Sequence, residues 1–128
     1  MRLLLDTHVL AWAVLDVGKL STAASQDIES RQNTILVSVV SAWEMAIKVG
    51  TGKWPGAAPL VNAFETEIGV AGFELLPITI PHVRASGLMA SPHRDPFDRL
   101  LAAQALIEGL TLVTADQKVA ALGAPVLW

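Results

Sequence analysis

The sequence predicts an α/β fold: an α/β/α sandwich in which helices cover both faces of a mostly parallel sheet. Three observations predict it. Short apolar runs recur at Leu3 to Leu5, Ile35 to Val37 and Leu110 to Val113, with weaker ones at Glu74 to Leu76 and Pro125 to Leu127. The leading runs do not alternate polar with apolar, as strands buried on both faces would not. Helical stretches separate them, and strand–helix alternation makes βαβ crossovers with parallel pairing. The chain has 128 residues, 52% hydrophobic and 16% charged, which is enough apolar material to bury a sheet. That length suits one domain spanning residues 1-128.

The elements follow in order. Leu3-Leu4-Leu5 ends at a carboxylate, Asp6, and Val9 to Leu15 reads as a helix that Gly18 terminates. Ser21 is an N-cap for a second helix reaching about Arg31. Asn33-Thr34 turns the chain into the Ile35 strand, after which Ser38 and Ser41 bracket a cap and Ala42 to Val49 is helical up to Gly50-Thr51-Gly52. Lys53 to Gly56 is a loop, and Pro59 to Ala71 is read as one helix. Pro81 suits the first turn of a helix reaching about Ala90. Pro96 opens the clearest helix, which stops at Gly109, where a left-handed C-terminal glycine belongs. Asp116 to Leu122 is a short helix, and the closing strand at Pro125 to Leu127 tolerates its proline at a sheet edge.

Composition narrows the function. Nine Lys+Arg against twelve Asp+Glu give a net charge of −3, so the polybasic footprint of a backbone-gripping nucleic-acid binder is missing. Zero cysteines exclude disulfides, thiolate zinc sites and cysteine nucleophiles, and suit a reducing compartment, so a cytoplasmic location is expected. No apolar run approaches ~18 residues, and neither a membrane span nor a signal peptide is expected. The chain is more apolar than a small core readily hides and carries four Trp, which suggests a homodimer.

In parallel sheets, ligands bind beyond the carboxyl ends of the strands. Asp6 follows the first strand, Glu44 lies one turn into the helix after the second, and Asp116 follows Leu110 to Val113 in Thr114-Ala115-Asp116. The helix opened by Pro96 feeds a strand, so its N-terminus, with Asp95 and Asp98, reaches the same rim. Asp95 precedes proline and is the natural cap, which leaves Asp98 as the better ligand. Convergent carboxylates repel one another, and a hard divalent cation removes that penalty. Oxygen ligands alone point to Mg²⁺, with Mn²⁺ as the alternative. Such a cation polarises a phosphodiester and activates water. Arg99, four residues after Asp95, reads either as a helical ion pair or as a phosphate contact. Met45, Leu101, Leu106 and Ile107 read as core.

The blocks Leu4-Leu5-Asp6-Thr7-His8, Ser41-Ala42-Trp43-Glu44, Asp95-Pro96-Phe97-Asp98-Arg99 and Leu112-Val113-Thr114-Ala115-Asp116 resemble the PIN-domain family, in particular its VapC toxins of type II toxin–antitoxin pairs. The resemblance covers essentially the whole chain. It implies an α/β/α sandwich and an Mg²⁺-dependent endoribonuclease, with the family's acidic quartet falling on Asp6, Glu44, Asp98 and Asp116. It also implies a supporting role for Thr114, an RNA substrate, and a cognate VapB-like antitoxin; Thr7 and Arg99 are further candidates for substrate contact. Two other function classes fit the acidic rim. One is a non-enzymatic module that docks a basic peptide, for which metal is irrelevant. The other is a phosphatase or phosphotransferase with Asp6 as nucleophile, disfavoured because His, not Asp, stands at position 8.

Overall fold

A computed structural model describes residues 1–128. Five strands, β1 (Arg2–Leu5), β2 (Thr34–Ser38), β3 (Glu74–Leu76), β4 (Thr111–Val113) and β5 (Val126–Leu127), form one sheet. Its order is β3-β2-β1-β4-β5, and every pairing is parallel. The chain builds outward from β1 in one direction through β2 and β3, then returns to the other side for β4 and β5. β1 and β4 therefore flank the point where the order reverses, the place where such sheets leave a crevice beyond their carboxyl ends.

The strand pleat sorts the core into two layers. Leu3, Leu5, Ile35, Val37 and Val113 join Val9, Leu10, Met45, Leu60, Phe64 and Ile68 on one face. Leu4, Leu36 and Leu112 join Val40, Leu101, Ala105 and Val119 on the other. Residues alternate between faces along each strand, and both faces are covered. That is the sandwich expected.

Eight α-helices connect the strands: α1 (Thr7–Leu15), α2 (Thr22–Glu29), α3 (Val39–Gly50), α4 (Ala58–Asn62), α5 (Phe64–Ala71), α6 (Ile80–Leu88), α7 (Pro96–Glu108) and α8 (Gln117–Ala120). Ser21 caps α2 by accepting from the Ala24 amide at 3.0 Å, and Gly109 ends α7 at φ +67°. α3 begins earlier than the sequence suggested: Ser38 is its cap, accepting from the Val40 amide at 3.0 Å, and Ser41 lies inside the helix. The helix expected over Pro59 to Ala71 is two pieces, broken at Ala63. Leu60, Phe64 and Ile68 are all buried in one layer, and a strict four-residue spacing drifts about 80° over those two steps on a straight helix. The break lets all three reach the same core.

α6 and α7 are joined through His82, which has no exposed surface. Its Nδ1 accepts from the Thr79 amide at 3.0 Å, so Nε2 carries the proton and donates to Glu108 Oε1 at 2.8 Å. Leu106 and Ile107, expected in the core, are 49% and 46% exposed; they face away from the sheet near the end of α7. No helix is long and apolar enough to cross a membrane.

Candidate active site

Asp6 continues β1 with a backbone bond to Val113 (3.0 Å), then turns the chain into α1 as its cap. Its Oδ1 accepts from the Thr7 amide at 2.7 Å, and Oδ2 accepts from the Thr114 hydroxyl at 2.7 Å. Burial nevertheless holds the Asp6 carboxyl above the usual carboxylate range, with those two bonds opposing it and Glu44 adding to it. Thr114 also accepts from the Asp116 amide at 3.1 Å. One hydroxyl thus sets the orientation of Asp6 and the path of the chain at Asp116.

Glu44 projects from α3 and is 3% exposed. Lys48, one turn on, donates to its Oε2 at 2.6 Å, while Oε1 is buried with no partner. An unpaired buried carboxylate oxygen is costly, which marks this atom as an open acceptor. Asp98 stands in the first turn of α7, where its Oδ2 lies 2.7 Å from His93 Nε2. Burial is the main cause that pushes its pKa up to about 6; the bond to His93 opposes the shift, and Asp95, Asp6 and Glu44 add to it by repulsion. Asp95 is the α7 cap, its Oδ1 accepting from the amides of Phe97 (2.9 Å) and Asp98 (3.2 Å). Asp116 caps the short α8 through the Lys118 amide at 2.8 Å and is exposed.

These side chains meet in a cavity of about 360 Å³ lined by Asp6, Glu44, Asp95, Asp98 and Asp116, together with His8, Val9, Trp12, Lys48 and Ala115. Five carboxylates thus face one ammonium. No three acidic or imidazole groups stand at metal-ligand spacing in this arrangement; Lys48 and His93 occupy lone pairs of Glu44 and Asp98 instead. The donor set still suits a hard divalent cation. It is all oxygen, and it has an open acceptor at Glu44 Oε1. Burial, with repulsion between the acids as a lesser cause, raises the pKa of Asp6 and Asp98, a cost that a bound cation would offset.

None of the residues expected to support substrate binding lines the cavity. Thr7 has no exposed surface, and its hydroxyl is 3.0 Å from that of Ser41, tying α1 to α3. Thr114 is 4% exposed and acts through Asp6. Arg99 neither pairs with Asp95 nor lines the cavity. Its guanidinium donates to the carbonyls of Ser86, Met89, Ser91 and His93, clasping the segment that carries His93. Three residues of the site were not assigned to it from the sequence. Lys48 sits at the helical i+4 position from Glu44, a signal that was available. His8 and His93 read from sequence either as phosphate donors or, more simply, as hydrogen-bonded helix-end residues. The fold sets His93 against Asp98, its loop held by the Arg99 clasp, and puts His8 on the cavity wall.

An α/β/α domain with a carboxylate-lined cavity at the switch point of a parallel sheet is the class that fold and site define. The chain belongs to the PIN domain family, whose model matches residues 3–125. It is 31% identical over 126 residues to Ribonuclease VapC22 of Mycobacterium tuberculosis, a match that covers 90% of this chain and 87% of that protein. Among solved structures it resembles VapBC2 from Rickettsia felis bound to a promoter DNA fragment, with TM-score 0.71 and 17% identity, covering 99% of this chain and 98% of that one. FitAcB from Neisseria gonorrhoeae aligns with TM-score 0.64 and 19% identity, covering 98% and 96%. At those identities the likeness is one of fold.

Proposed function

We propose that the chain is a divalent-metal-dependent endoribonuclease of the VapC type, the toxin of a toxin–antitoxin pair. The observation that carries this reading is the cavity in which Asp6, Glu44, Asp98 and Asp116 converge, with Glu44 Oε1 buried and unpartnered. The relative named a ribonuclease supports the substrate class.

The four carboxylates would hold Mg²⁺, or Mn²⁺ in its place. A bound cation of this kind supplies Lewis-acid polarisation of a phosphodiester and acidification of water. The chain's own residues set the stage. Thr114 and the Thr7 amide fix both oxygens of Asp6. Lys48 and His93 hold Glu44 and Asp98 at the cavity by hydrogen bonds, and the Lys48 ammonium offsets the charge of Glu44. The Arg99 clasp holds the His93 loop in place. With a net charge of −3, the chain depends on added positive charge to accept an anionic strand.

The antitoxin is expected to reach the same carboxylates with an Arg or Lys of its own, because a guanidinium forks onto a carboxylate and stays ionised. Trp43 is 53% exposed and meets Phe97 edge-on at 5.0 Å, which makes it the apolar anchor on that face. Trp54 is half-buried beneath His8 and fits that part less well. The exposed Ile80, Val83 and Leu88 of α6 with Leu106 and Ile107 of α7 support a homodimer, and light scattering giving a mass near 13.6 kDa would count against it.

The test follows cleavage of a labelled RNA across an Mg²⁺ titration with EDTA as control, and then sequences the 5′ ends of fragments formed on expression in cells. Cleavage that saturates with metal and is lost in Asp98→Asn supports the proposal. Absence of cleavage, with metal-independent binding of a basic peptide, would favour the non-enzymatic module.

A further inference from the structure

One wall of the acidic cavity is aromatic. His8 and Trp12 line it together with Lys48. The His8 ring stacks on Trp54 at 4.8 Å and 21°, and lies 6.0 Å from Trp12. Trp12 in turn meets Trp128 at 5.8 Å, and the Lys48 ammonium stands 5.8 Å from the Trp54 ring centre. Trp12 and Trp54 are half-buried against the core, whereas His8 is exposed. Rings that only fill a core are covered on all sides. Here a row of rings is anchored at its base and open at the cavity.

We propose that His8 and Trp54, braced by Trp12, form a ledge on which an unpaired nucleobase of the substrate stacks while a neighbouring phosphate enters the carboxylate cavity. This rests on the ribonuclease reading and adds to it the group that positions the strand. Lys48 is the single cation lining the cavity and is already paired with Glu44, so the chain has little to grip a phosphate backbone with. Stacking supplies affinity without charge and works for every base. A base lies within one nucleotide step of its own phosphate, so a ledge on the wall of the same cavity is within reach.

The chemistry of the wall also favours a nucleotide over a peptide. A ligand with a flat π-face joined to an anion suits aromatic rings beside an ammonium, whereas a basic peptide segment laid along the ledge would meet Lys48. The half-buried Trp rings are fixed in advance, which limits the ordering cost of binding. A paired base cannot leave its duplex to reach the ledge without losing its partner, so the site selects single-stranded RNA.

The experiment is a fluorescence titration of the full chain with a short single-stranded RNA, in Ca²⁺ and without Mg²⁺ or Mn²⁺. Stacking should quench Trp emission. His8→Ala and Trp54→Ala should each bind roughly 5- to 100-fold more weakly, while His8→Phe and Trp54→Phe, which keep a ring, should stay near wild type. An oligomer with abasic residues, or a duplex, should bind the wild-type chain as poorly as the single strand binds His8→Ala. Should Trp54→Ala not fold by circular dichroism, His8→Ala, an exposed position, decides alone. Wild-type affinity in a folded His8→Ala overturns the ledge. If RNA is bound and cleaved by that variant as by the parent, only the ledge falls; if the wild-type chain neither binds nor cleaves RNA, the ribonuclease reading falls with it. Unchanged RNA affinity with lost capture of a co-expressed antitoxin would give the ledge to the protein partner and also overturn the proposal.

Discussion

Replacing Asp98 by Asn should make the metal-free chain more stable, and only above mildly acidic pH. In the folded chain the Asp98 carboxyl is raised from 3.8 to about 6. Between those values the folded state holds a proton that the unfolded state has released, so stability falls as pH rises through that window. At about 1.36 kcal/mol per pH unit the ionised group costs about 3 kcal/mol by pH 7. The side chain is 14% exposed and lines the cavity, so screening brings the expected gain for Asp98→Asn to about 1–3 kcal/mol. Near pH 4 the folded group is protonated and the unfolded one only half ionised, so the two proteins should unfold nearly alike there. Urea unfolding of wild type and variant in EDTA, from pH 4 to 8, reads the difference directly. Addition of Mg²⁺ should then stabilise the wild type more than the variant, because a ligand that binds only the folded state adds its binding energy to stability. A stability difference that does not vary with pH, or a variant less stable than wild type at pH 7, would refute the electrostatic account of this cluster.

Three further outcomes follow from the contacts. Asp95→Ala removes the cap that serves the Phe97 and Asp98 amides and should cost about 1 kcal/mol in urea unfolding, with a smaller loss of cleavage than Asp98→Asn. Arg99→Ala frees four carbonyls of the 86–93 segment; it should cost about 2–3 kcal/mol and speed amide exchange there, and Arg99→Lys should recover only part because an ammonium cannot fork to the same set. Lys48→Met leaves Glu44 buried without its cation and should cost about 1–2 kcal/mol in EDTA, discounted for the one-third exposure of Lys48; Mg²⁺ should recover more stability in this variant than in wild type.

β1, β2 and β4 were legible because burial on both faces leaves an apolar signature, and the positions of Asp6, Glu44 and Asp116 followed from where those strands end. Ser21 and Asp95 announced helix starts through their side chains and Gly109 a helix end through its left-handed backbone, none of which needs a tertiary partner. What could not be read depended on such partners. The break at Ala63 has neither proline nor glycine to mark it and serves the packing of Leu60, Phe64 and Ile68. Leu106 and Ile107 have the hydrophobicity of core residues, but the turn of α7 that carries them points outward. Arg99 carries the same helical signal as an ion-pairing or phosphate-binding arginine, and only the course of the loop before α7 reveals that it binds carbonyls. Thr7 and Thr114 both stand near an aspartate in sequence, but Thr7 opens α1 and faces Ser41 of α3, whereas Thr114 follows β4 and faces Asp6 across the sheet.

The four carboxylates differ in how far the fold depends on them. Both oxygens of Asp6 are committed, one to the first amide of α1 and one to Thr114, so an amide there would take away the acceptor of the Thr114 hydroxyl and force that hydroxyl to turn. Asp98 caps nothing and touches only His93, and its charge works against folding. A lineage released from selection for the reaction would therefore shed Asp98 early and keep Asp6 long after the site had fallen silent. An intact Asp at the end of the first strand is, on these grounds, a mark of ancestry, and the residue at position 98 is the one that reports whether the machinery is still in use.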